Sequence, residues 1–200
     1  YEMVNCCNSK EEVVRSVTKQ VKSKQRVADH GEVFTAEREV KAMCDLVKQE
    51  TERIDSRFLE PACGDGNFLA EILNRKLFIV SVRYKKSVYD WERYSLLALG
   101  SLYGVDILFD NTLACRDRLF SIWDNKYKAV CKEECNDDTK ASARFILDRN
   151  IVCGNALTLF CVDENQLDTT EPIVFSEWTF PFNDARMQRK DYSFVELLLV

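Results

Sequence analysis

The stretch Leu59-Glu60-Pro61-Ala62-Cys63-Gly64-Asp65-Gly66-Asn67-Phe68 constrains the rest of the chain. Arg57-Phe58-Leu59 reads as the end of a short buried strand, and Phe68 to Leu73 as the first turns of a helix. A strand, a tight glycine turn and a helix make an open site for a polar cofactor. Gly64 and Gly66 lack a Cβ, so the turn can take positive φ and a ligand can touch the backbone. The helix start offers unpaired N–H groups and a positive dipole end, where a carboxylate or phosphate is favoured. Gly-x-Gly alone also occurs in ordinary turns. A dinucleotide fingerprint has a third glycine where this chain has Leu69, and no Gly-Lys-Ser/Thr of a P-loop is present.

Two hundred residues suffice for one domain with a real core. A hydrophobic share of 46% and a charged share of 30% are those of a globular chain. The formal charge of −5 is unlike that of a stand-alone nucleic-acid binder. No apolar run is long enough for a membrane span, and no secretory signal is visible. The nine cysteines lie mostly in apolar surroundings, which fits a reducing cytoplasm better than a disulfide frame. Cys131-x-x-x-Cys135 sets two thiols on one helix face, but a zinc site needs two further ligands.

Residues 1–18 read as an N-terminal arm and 19–200 as one domain. The apolar ending Glu196 to Val200 suggests a cut through an ongoing element. Six basic residues between Lys10 and Arg26 make either a solvated helix or a phosphate-contacting arm. His30, the single histidine, has no nucleophile partner in the sequence and is read as shaping its loop. Thr35 looks like an N-cap, and Val40, Met43, Cys44, Val47 and Ile54 fall at helical spacing over 36–54.

Glu60-Pro61-Ala62-Cys63-Gly64-x-Gly66-x-Phe68 resembles the cofactor motif of S-adenosylmethionine-dependent, amino-methylating DNA methyltransferases. Upstream, Gly31-Glu32-Val33-Phe34-Thr35 looks like the same family's Gly-x-x-Phe-Thr-Pro, with Ala36 in place of the proline. The two motifs stand in the family's order, and the resemblance covers residues 20–160. It is similar to modification enzymes of restriction systems. The resemblance implies that Gly31, Phe34 and Thr35 line the methionine end of S-adenosylmethionine and that the glycine loop holds it.

Beyond the loop, the helix is read as continuing to Leu77. Phe78 to Leu99, without glycine or proline, reads as a long amphipathic helix. Leu102 to Ile107 reads as a strand. Gly104-Val105-Asp106-Ile107 looks like the family's second cofactor motif, which makes Asp106 the acceptor for the ribose hydroxyls. The alternative for Asp106 is a cap for the helical segment from Asn111. Residues 110–135 and 140–148 read as helices. Asn150 to Leu157 reads as a strand ending in a turn, where Gly154-Asn155-Ala156-Leu157 resembles the family's Gly-Asp-Ala-Leu. Asn155 then contacts the cofactor adenine through its carbonyl, or is a plain turn asparagine. Pro172 to Trp178 reads as a further strand, followed by a turn over 180–184.

Amino-methylating enzymes of this family carry Asn/Asp/Ser-Pro-Pro-aromatic, whose polar side chain and proline carbonyl bind the target amine and whose ring stacks on the flipped base. No Pro-Pro pair exists in this chain, so no catalytic residue is assigned. The expected fold is α/β, a doubly wound, mostly parallel sheet flanked by helices, the Rossmann-like methyltransferase fold. The expected partners are double-stranded DNA, gripped by a local basic patch or a missing domain, and a specificity or restriction subunit. A nucleotide-dependent enzyme and a non-catalytic binding subunit are the rival readings.

Overall fold

The computed structural model describes residues 22–30, 33, 35–182 and 186–198. The chain divides into two units, residues 1–36 and 37–200. In the first unit, α1 (Lys24–His30) starts where Ser23 Oγ accepts from Arg26 N at 3.1 Å. Gly31 and Phe34 lie outside the described residues; Thr35 sits in irregular backbone.

The second unit is α/β. It opens with α2 (Glu37–Leu46) and α3 (Lys48–Thr51), which lead to β1 (Phe58–Glu60). Val40, Cys44 and Ile54 are buried as their spacing predicts, whereas Met43 and Val47 are about half exposed because the helix breaks between Leu46 and Lys48. α4 (Asn67–Tyr84) and α5 (Val88–Gly100) follow, then β2 (Leu102–Asp106). α6 (Phe109–Cys131), a short 3-10 turn over Lys132–Glu134 and α7 (Asp137–Asn150) lead to β3 (Ile151–Asn155). β4 (Phe160–Val162), β5 (Asp168–Pro172), β6 (Val174–Thr179), β7 (Gln188–Ser193) and α8 (Phe194–Leu198) complete the order.

Five strands form one sheet in the order β1-β2-β3-β4-β5. β1, β2 and β3 are parallel, with Glu60 opposite Gly104 and Asp106 opposite Cys153. β4 and β5 join antiparallel. The sheet is therefore mixed, not mostly parallel. The cause is connection length: residues 156–159 between β3 and β4 are too few for a crossover, so the chain must turn back on itself.

Side chains alternate along the parallel strands. Phe58, Leu102 and Ile151 face a core made with α2 and α4 to α7. Tyr103, Val105 and Val152 face the other way, against Ile173, Phe175 and Phe194. Helices α4–α7 thus pack on one face; Phe175 at the start of β6 and Phe194 of α8 cover the other, while Trp178 further along β6 joins the helical core. Among the described residues the second face carries only the five-residue α8, not the crossover helices that a doubly wound sheet has on both faces. Two successive right-handed crossovers that step in one direction along the sheet put their helices on the same side.

The helix expected over 78–99 is two helices. Ser87 takes an extended conformation and its Oγ accepts from Asp90 N at 3.2 Å, so α5 starts afresh there without glycine or proline. Likewise α7 begins at Asp137 rather than Lys140, because Asn136 Oδ1 accepts from Thr139 N at 2.7 Å. Trp91 stacks on Tyr127 at 5.4 Å in the middle of the helical layer, with Trp123 beside them. Trp91 donates to Ser81 Oγ and Trp123 to Ser95 Oγ, so neither buried indole is left without an acceptor.

Candidate functional site

The carboxyl ends of β1, β2 and β3 lie side by side, and they carry Glu60, Asp106 and Asn155. The turn after β1 rests on β2 through Cys63 N, which donates to Val105 O at 2.9 Å. It then bends twice: Gly64 has φ +54° and Gly66 φ +86°, a region that favours glycine. Gly66 N donates to Cys63 O at 2.8 Å, and Gly66 O accepts from Ala70 N at 2.8 Å, which starts α4. A Cβ on Gly66 would stand 2.7 Å from Cys115 Sγ of α6, so the loop lies tight on that helix. Cys63 Sγ donates to Gly64 O at 3.7 Å, and the neighbouring Cys115 thiol together with burial pushes the Cys63 pKa far up, keeping it protonated.

Asp106 fastens the site. It is buried, its Oδ2 accepts from Gly64 N at 2.9 Å, and its Oδ1 accepts from Leu108 N at 2.9 Å and Asn111 Nδ2 at 3.2 Å. The two motifs singled out in the sequence, 42 positions apart, therefore meet directly. The contacts to Leu108 N and to the Asn111 side chain tie Asp106 to the entry of α6 without capping it: the N-cap position is Leu108, and no side chain caps the helix. Three of the roughly four acceptor positions of the carboxylate are taken inside the protein, which leaves about one for a ligand hydroxyl. Gly64 N–H is turned inward, to Asp106.

Glu60 is half-buried, and burial pushes its carboxyl above the usual carboxylate range against the lowering effect of the Ala62 N–H. Pro61 and Ala62 form the exposed shoulder of the turn. Phe68 lines a cleft of about 180 Å3 with Met43, Cys44, Val47, Glu60 and Ile72. Ile107 is half-buried, and its carbonyl accepts from Cys153 Sγ at 3.7 Å. Asn155 Oδ1 accepts from Leu157 N at 3.0 Å, the turn contact of an asparagine, so its amide NH2 is the group left for a ligand. Ala156 packs on the second core, away from the glycine loop. The structure brings Glu60 to Phe68, Asp106, Ile107 and Asn155 to one end of the sheet.

Arg118 escaped the sequence reading. From α6 its Nη1 donates to Asn67 Oδ1 at 2.7 Å and reaches Asp65 Oδ1 at 3.3 Å, clasping the glycine loop from outside. No local pattern signals it, because its partners lie more than fifty positions away. Cys115 was likewise visible only as an apolar position. A cavity of about 720 Å3 lies elsewhere, lined by Arg57, Leu59, Tyr103, Phe175 and Glu177 among others, and no motif residue lines it.

Among the described residues no cluster of His, Cys, Asp or Glu is fit to hold a metal ion, and the seven described cysteines are free thiols. Among them, too, no helix is long and apolar enough to cross a membrane. No protein-family model matches this chain, and neither a curated protein nor a solved structure does.

Proposed function

We propose that this chain is the S-adenosylmethionine-binding part of an enzyme that methylates the exocyclic amine of adenine in DNA. The observation that carries the reading is the bond from Gly64 N to Asp106, which joins the glycine loop to the acid at the next strand end. In open α/β sheets ligands bind outside the carboxyl ends of the strands, where these residues lie. On this reading β1, β2 and β3 with α4–α7 are one half of a Rossmann-like methyltransferase sheet.

The residues present suit such a cofactor. Glu60 is a half-buried carboxylate that gains from a cationic partner. Asp106 keeps about one acceptor position for a ribose hydroxyl. Asn155 offers its amide to the adenine ring. The bound cofactor supplies a methyl group on a sulfonium, ready for displacement by an amine. What the chain's own residues contribute is placement of that methyl group, not acid–base chemistry.

A second reading is favoured by the sequence itself: without a Pro-Pro pair, the chain is a non-catalytic binding or partner subunit of a restriction–modification system. Calorimetric titration with S-adenosylmethionine and S-adenosylhomocysteine tests the cofactor site. The expected result is saturable binding by the parent, weakened at least tenfold in Glu60→Gln and Gly64→Val variants whose circular dichroism is unchanged. A folded parent that binds neither compound refutes the cofactor site. Binding of the cofactor without methyl transfer to DNA favours the second reading.

A further inference from the structure

The second face of the sheet is filled over β2 and β3 and open over β1. Tyr103 of β2 meets Phe175 edge-on at 5.3 Å, and Phe175 meets Phe194 at 5.4 Å. Leu59 of β1, beside Tyr103 in the ladder, is 41% exposed. The β6–β7 hairpin borders this opening without closing it. Phe175 is paired with Tyr192 and Glu177 with Lys190, so these four side chains share one face of the hairpin, while Ser176 and Trp178 take the other. The result is the cavity of about 720 Å3, walled by Leu59, Tyr103, Phe175 and Tyr192. Arg57 and Glu177 line it too, joined by a bond from Nη1 to Oε1 at 3.3 Å, and so does Glu196 of α8. Its size, its aromatic walls and its few polar groups are those of a small-molecule site.

The charges around the cavity are already matched. Glu177 holds Arg57, and Glu196 Oε2 accepts from Ser193 N at 2.8 Å. Lys190, opposite Glu177, lays its ammonium over the Tyr192 ring at 4.7 Å. Two cations stand against two carboxylates, so net charge selects no ion. The Tyr103 hydroxyl is the group left over. Tyr103 is only 8% exposed and lines the cavity, yet its hydroxyl has no hydrogen-bond partner among the described residues. Burial pushes its pKa up to about 12, so the phenol keeps its proton and is a donor. A buried donor without an acceptor is costly, and a ligand oxygen relieves that cost. A carboxylate would give up its hydration beside Glu177, whereas an uncharged carbonyl gives up far less. The rings of Tyr103, Phe175 and Tyr192 suit a flat aromatic body.

We propose that this cavity binds an uncharged, flat aromatic compound whose carbonyl oxygen accepts from the Tyr103 hydroxyl. The proposal stands on the cavity alone and not on the glycine loop. The test uses three probes with one ring system and different head groups: 2-naphthamide, 2-naphthoate and 2-naphthylmethylammonium. Each is titrated into the full chain, with binding followed in amide 1H–15N spectra. The amide binds saturably below about 1 mM and shifts the signals of Leu59, Tyr103, Phe175 and Tyr192. The two ions bind more weakly. Tyr103→Phe keeps the ring and removes the donor, and it weakens the amide about fivefold, the worth of one hydrogen bond. Leu59→Trp, at a half-exposed position, fills the cavity and abolishes binding, which keeps the test decisive if Tyr103→Phe misfolds. No binding of the amide by the folded parent overturns the proposal. So does tighter binding of either ion, undiminished binding in folded Tyr103→Phe or Leu59→Trp, or shifts confined to 64–67, which would place the probe at the glycine loop.

Discussion

The parallel strands end at both extremities on a buried charge, and the two charges are held in different ways. At the carboxyl end Asp106 gathers three N–H groups: Gly64 N of the glycine loop, Leu108 N just before α6 and the side-chain amide of Asn111. At the amino end Lys76 of α4, with no exposed surface, donates to Ile54 O at 3.3 Å, Ser101 Oγ at 2.5 Å and Ser56 O. Ser56 and Ser101 immediately precede the connections into β1 and β2, so one long side chain ties both strand starts. Among the described residues Lys76 has no carboxylate in hydrogen-bond contact. Burial pushes its pKa down to about 7, with Arg53 adding to the shift and Asp55 and Glu50 opposing it. The motif end is braced by backbone donors of the chain; the other end hangs on one flexible side chain.

The largest effect is expected from Asp106→Ala. It strands the backbone N–H groups of Gly64 and Leu108, and unsatisfied buried groups cost about 1–3 kcal/mol each. A loss of about 3 kcal/mol, or about 10 °C in Tm, should follow. A Tm within about 2 °C of the parent would show that the loop and α6 hold together without the carboxylate.

Lys76→Met addresses the other end through pH. The folded pKa of about 7 lies below the ordinary 10.5 of the unfolded chain. Between those values the unfolded chain keeps a proton that the folded chain has released, so stability from this group rises with pH over that window and is level below it. Denaturant midpoints at neutral and alkaline pH should give the parent a gain over Lys76→Met on the order of 2 kcal/mol. Taking the difference removes the cysteines and tyrosines that titrate in the same range. A parent–variant difference that does not change with pH would mean the ammonium stays charged in the fold.

The two ends also differ in how far the sequence reveals them. The glycine loop, β2 and β3 are legible because their signals are local: two glycines between a strand and a helix, and apolar runs that end in Asp106 and Asn155. Asp106 as a candidate site residue was readable from Gly104-Val105-Asp106-Ile107, but its bond to Gly64 N was not. Lys76 was not, since a lysine among Leu73, Leu77 and Val80 reads as an exposed helix position until Ser56 and Ser101 are placed around it. The break at Ser87 carries neither glycine nor proline; its signal is Ser87-x-x-Asp90, a helix start. β7, Gln-Arg-Lys-Asp-Tyr-Ser, has no apolar alternation, because β6 and α7 supply the apolar contacts on its side of the hairpin.

Arg118→Gln should give the smallest effect and the sharpest one. The pair with Asp65 is roughly 40% and 32% exposed, so solvent screening limits its worth to less than about 1 kcal/mol of global stability. Its site is specific, however: Arg118 clasps the loop from outside while Asp106 holds it from within. Global unfolding should therefore be nearly unchanged, while amide hydrogen exchange at 64–67 accelerates several-fold through local opening. Loss of the clasp with no change in that exchange would leave Asp106 as sufficient to hold the loop. A drop in Tm comparable to that of Asp106→Ala would instead make Arg118 part of the fold's main support at that end.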